Sequence, residues 1–89
     1  MNWKIALKCV HDISGMKQDA AKSMVLLRQE IVGSSQLSAV EKTDLHEVMD
    51  GLQQANLYGR ISFLSRLKEL LSRHAEFKAG MAEFSLRKD

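Results

Sequence analysis

The stretch HEVMD at residues 46–50 places His46, Glu47 and Asp50 within about one helical turn. A zinc protease needs a second histidine four residues after the first, so that both rings bind the metal from one helix face while the glutamate activates water. Here that position holds Asp50 and the motif fails. Cys9 and His11 are two apart, which turns them to different faces of a helix and prevents a shared metal. Glu47 and Asp50 are spaced to share a face, but it is a polar one where nothing raises a carboxyl pKa for acid–base work. Neither a glycine-rich phosphate loop nor a Gly-x-Ser-x-Gly elbow is present. The expectation is a non-enzyme without a metal site or cofactor.

The elements follow from composition. The chain has 89 residues, no proline, five glycines and 45% hydrophobic residues. Good helix formers dominate, and no alternating strand of convincing length occurs. The fold class read from this is all-α, one domain over residues 1–89. A chain of this size buries only about 60% of its unfolded surface and is marginally stable without a partner or staple. One cysteine, Cys9, allows no internal disulfide and suits a reducing compartment. The opening MNWKIALKCVHD carries Lys4, Lys8, His11 and Asp12, which break any apolar run of signal-peptide kind. No stretch approaches the roughly 18 apolar residues of a membrane span. The expected location is cytoplasmic.

Two breaks divide the chain. In VGSSQLS, residues 32–38, Gly33 is suited to ending a helix, and Ser38 stands three residues before Glu41 as a capping box. The second break is NLYGRIS, residues 56–62, where Gly59 either ends one helix with Ser62 capping the next or sits inside one long helix where a neighbour approaches closely. Before the first break, Trp3, Val10, Met24 and Ile31 share one heptad position and Ala6, Ile13, Ala20 and Leu27 its partner. Lys17 is the misfit, and Ser-Gly-Met at 14–16 bends that helix without ending it. Helices are therefore expected near 2–32, 39–58 and 61–86, as a small antiparallel three-helix bundle. The alternative is a long two-helix hairpin whose overhang is covered by dimerisation.

The three segments carry net charges of +2, −3 and +3, together the +2 of the chain. An acidic middle helix thus lies between two basic ones, with its acids in the half favoured by the helix dipole. A pI near 8.9 requires that nucleic acid be considered. Ala55 and Gly59 match two positions of a helix-turn-helix, but Arg60 and Ser65 stand where apolar residues should pack. Arg66, Glu69, Arg73 and Glu76 mix both signs on one side of the last helix, poorly suited to phosphate.

An apolar excess remains. Phe63, Leu67, Leu70, Phe77, Met81 and Phe84 fall at alternating steps of four and three, and Leu57, Ile61, Leu64 and Leu71 widen the face to roughly half the circumference, against the ~100° a small domain requires. The seam is assigned as an interface, for a second copy or for another protein's helix. His74 stands in the series where leucine is expected. Buried without a partner, the ring would be kept neutral and acid would destabilise the fold; paired with Glu76 or another acid, the trend would reverse.

The sequence thus points to a small cytoplasmic helical protein that binds another protein, as inhibitor, immunity factor, chaperone or adaptor. It is expected to form a homodimer through Phe63, Leu67, Leu70, His74, Phe77, Met81 and Phe84. The alternative is a small nucleic-acid-binding transcriptional regulator.

Overall fold

A computed structural model describes residues 1–15 and 18–86, with side chains through Glu83. Among the described residues the chain forms five helices and no strand: α1 (Trp3–Ser14), α2 (Ala20–Gly33), α3 (Ala39–Gln54), α4 (Leu57–Leu71) and α5 (Ala75–Leu86). No described helix is long and apolar enough to cross a membrane.

Local chemistry sets the helix starts. Asn2 accepts from the backbone N–H groups of Lys4 and Ile5 at 3.1 and 3.3 Å, opening α1. Ser38 Oγ accepts from Glu41 N at 3.1 Å, and Glu41 Oε1 accepts from Ser38 N at 3.1 Å. The capping box read from the sequence is thus complete. Asn56 accepts from Gly59 N at 2.9 Å and opens α4. Each cap satisfies N–H groups that the first turn leaves without partners.

The expected three helices give way to five through two added breaks, and the break expected at Gly59 moves. The helix expected over 2–32 ends at Ser14 and resumes at Ala20; Met16 and Lys17 lie outside the described residues. A straight helix of that length would run about 45 Å, whereas the largest Cα extent is 31 Å. Folding back lets both halves bury their heptad residues on each other. α1 and α2 are antiparallel: Asn2 N donates to Glu30 Oε1 at 2.8 Å at one end, and Ser23 Oγ donates to Asp12 Oδ2 at 3.2 Å at the other.

The expected break at Gly59 lies instead at Ala55–Asn56, because the Asn56 side chain is the stronger start signal. Gly59 is the third residue of α4, not a helix end, and its φ lies outside the left-handed region. The helix expected over 61–86 is interrupted at residues 72–74. His74 is therefore not a seam position within a helix. Its carbonyl accepts from Lys78 N at 3.0 Å, in the first turn of α5.

One core joins the five helices. It contains Trp3, Val10, Ile13, Leu27, Ile31, Leu45, Met49, Leu52, Leu67, Leu71 and Phe77, among others. α2 and α3 are antiparallel, with Lys42 Nζ donating to Val32 O at 3.1 Å and Arg28 bonded to Asp50. α5 lies along α1 in the same direction, Trp3 beside Phe77 and Leu7 beside Gly80.

Gly80 and Gly59 have opposite requirements. A Cβ at Gly80 would overlap Leu7 Cδ1, with Leu7 Cγ at 3.2 Å, and Leu7 is buried in the core. Gly80→Ala is expected to cost about 1–3 kcal/mol through overpacking. At Gly59 the nearest atoms are Ala55 Cβ at 3.3 Å and Asn56 Oδ1 at 3.4 Å, which a small shift of the 55–56 link relieves. Gly59→Ala is expected to be neutral or stabilising by up to about 0.8 kcal/mol from helix propensity. Thermal unfolding followed by circular dichroism measures both, and a strongly destabilised Gly59→Ala would contradict the α4 start.

Candidate interaction surface

The seam assigned as an interface is largely the chain's own core. Leu67, Leu70 and Phe77 are buried within the single chain, so they offer no free surface. Phe63 and Met81 are half-buried and packed on that core, Phe63 close to the α3 glycine Gly51. The side chain of Phe84 lies outside the described residues.

His74 differs from its neighbours in the series. Its Nε2 lies 2.6 Å from Glu41 Oε2, and its ring centroid is 5.0 Å from that of Trp3. The ring is thus partnered, contrary to burial alone, and the partner is Glu41 of α3, not the neighbouring Glu76. Ring packing on the indole and a charge-assisted bond to the carboxylate together fix the α4–α5 corner. The Glu41 carboxyl is held below the usual carboxylate range, first by the Ser38 backbone N–H and then by His74.

The reactive-looking residues are committed elsewhere. Arg28 lies between Asp50 and His46, its Nη1 3.4 Å from His46 Nδ1. The guanidinium has no acceptor, so this contact requires His46 Nδ1 to be the acceptor. Cys9 is buried, and its thiol is pushed above its ordinary value by desolvation, then by Asp12 and Glu30. Such a thiol is a poor nucleophile. Among the described residues no group of three or more His, Cys, Asp or Glu is placed to hold a metal ion. Arg60, where helix-turn-helix packing would need an apolar residue, reaches across to α1, with Nη2 3.4 Å from the Ile13 carbonyl at its end. A cation there complements the α1 dipole.

Apolar side chains are exposed at Ile5 of α1, Val25, Leu26 and Val32 of α2 and Val40 of α3, and as a group of three in the first turns of α4. Leu57 is 60% exposed, Tyr58 83% and Ile61 64%. Leu57 and Ile61 are one turn apart, and Leu64, half-buried, continues their line. Leu57 and Ile61 form the edge of the broad face expected from the sequence, whereas Tyr58 carries no signal there beyond its position beside them. Comparison with protein families, characterised proteins and solved structures finds no match for this chain.

The Glu41 contacts give a pH dependence with a definite sign. A carboxyl that releases its proton more readily in the folded chain stabilises the fold in its charged form. That contribution is complete above the ordinary glutamate value of about 4.3 and is lost as pH falls through the lower folded value. Denaturant titrations between neutral and strongly acidic pH should show stability falling in this range, and Glu41→Gln should flatten the fall. At neutral pH, His74→Leu should cost the monomer roughly 1 kcal/mol through loss of the hydrogen bond to Glu41; an acid limb unchanged by Glu41→Gln would contradict the assignment.

Proposed function

We propose that this chain is a non-catalytic helical binding module that acts on another protein through the exposed face of α4. The observation that carries the reading is the exposure of Leu57, Tyr58 and Ile61 side by side, while Leu67, Leu70 and Phe77 of the long apolar series are buried in the core. A large aromatic beside two aliphatic side chains is the composition of an interface centre. The free, buried Cys9 fits a cytoplasmic setting, and inhibitor, immunity factor, chaperone and adaptor all use this mode. Support against catalysis comes from the engaged His46 and the unreactive Cys9.

The nucleic-acid alternative draws less support. The α3–α4 turn lies at residues 55–56, before Gly59, so the glycine is not in the turn where a helix-turn-helix needs it. Arg28 and Arg66 face carboxylates, Arg66 Nη1 lying 3.7 Å from Glu69.

Tyr58→Ser and Ile61→Ser, both on exposed positions, should fold with stability within about 0.5 kcal/mol of the parent. Affinity capture from the source cells with the parent and the double variant side by side should then lose the bound protein only with the variant. Retention of the same partner by the folded double variant would remove α4 as the docking face. For duplex DNA of mixed sequence, binding should be weak and mostly lost by roughly 0.2 M salt. Sub-micromolar affinity persisting there would replace the protein-binding reading with the nucleic-acid one.

A further inference from the structure

The corner between α4 and α5 bends without a helix breaker. Ser72, Arg73 and His74 form it, and none is glycine or proline. Ser72 keeps right-handed helical dihedrals, φ −70° and ψ −6°, and its N–H bonds the Lys68 carbonyl at 2.9 Å, four residues back. His74 N–H instead bonds Leu71 O, three residues back, at 3.1 Å, and by Lys78 the chain is again helical. The backbone therefore leaves the helical path only briefly.

The apolar series takes no account of the bend. Its alternating steps of four and three run from Phe63 to Phe84 straight through position 74, the pattern of one continuous helix. What holds the corner is tertiary. His74 is bonded to Glu41 of α3 and packed on Trp3 of α1, Phe77 is seated in the core, and Gly80 lies against Leu7.

We propose that α4 and α5 also exist as one continuous helix, in which α5 leaves its own α1 and packs on α1 of a second copy, giving a domain-swapped homodimer. Dimensions identify the occupant. A helix over 57–86 would be about 45 Å long, against a largest Cα extent of 31 Å for the folded-back chain. The α5 half would project beyond its own core, carrying Phe77 with it and uncovering Trp3 and Leu7. The surface shaped to receive Phe77 and Gly80 is the one around those two residues, and a second copy presents it unaltered. Each α1–α5 contact is available again between copies, so the two forms differ mainly at the corner. There the bent form keeps the His74–Glu41 bond, and the straight form regains helical hydrogen bonds. His74 is the latch that favours the bend.

The full-length chain, His74→Leu and Glu41→Gln are compared by light scattering and small-angle X-ray scattering. Leucine at 74 removes the latch and completes the seam; glutamine at 41 weakens the latch from the other side while retaining a side chain suited to the cap. Both are expected to strengthen dimerisation at least tenfold over the parent, with the scattering of an elongated particle. Adding Arg73→Gly, which disfavours a helix through the corner, should return each to monomer. Folded variants, with parental helix content by circular dichroism, that dimerise no more than the parent would overturn the proposal. Dimers that survive Arg73→Gly undiminished would overturn it too. Should His74→Leu fail to fold, the Glu41→Gln pair decides alone.

Discussion

Glu41 uses its two carboxylate oxygens on two different parts of the molecule, and the arrangement of the helices rests on that division. Oε1 accepts the Ser38 N–H and closes the start of α3, while Oε2 takes His74 at the corner before α5. The imidazole in turn lies on the Trp3 indole, whose ring centroid is 6.3 Å from that of Phe77. A continuous set of contacts therefore runs from a helix cap to a buried aromatic, joining α3, the α4–α5 corner, α1 and α5. Removing one member leaves a carboxylate or a ring without its partner in a partly dry site, where unpaired polar groups are costly.

Such long-range ties are needed because the helices are short. Each has 12–16 residues, a length at which an isolated helix is marginal in water. Their stability comes from burying one side, and two glycines allow close burial. Gly51 of α3 admits the Phe63 ring, and Gly80 of α5 admits Leu7. In both places a side chain from a neighbouring helix occupies the space a methyl group would take. Capping supplies what packing does not: with no proline in the chain, the helix starts depend on Asn2, Ser38 and Asn56.

The sequence disclosed the helical class, the Ser38–Glu41 box and most of the core, because these are encoded locally or by period. Trp3, Ala6, Val10, Ile13, Leu27 and Ile31, placed on one seam by their spacing, are all buried. Period cannot tell one long helix from two halves folded on each other, so residues 2–32 read as a single element. The same ambiguity hid the corner at 72–74, whose cause, Glu41, lies 33 residues away from His74. Gly59 drew attention as a breaker although Asn56, three residues earlier, carries the cap. The interface assignment rests on a signal with the same limit. A broad apolar face says how much surface must be covered and nothing about which element covers it, and here α1 covers Phe77 while α3 receives Phe63.

That distinction also locates the surplus. Once the chain has folded back, its own helices account for Leu67, Leu70 and Phe77, and one group of exposed apolar residues stands where α4 begins. These are held in place by the Asn56 cap beneath them and by Arg60, which reaches from the same turn to the end of α1. A loop carrying Leu57, Tyr58 and Ile61 would lose more side-chain and backbone freedom on binding than a capped helix does. The first turn of α4 is therefore already rigid where a partner would touch it. Exposed apolar side chains on a fixed helix keep more of their burial energy for association, which supports the proposal that this face, and not the longer buried series, serves recognition.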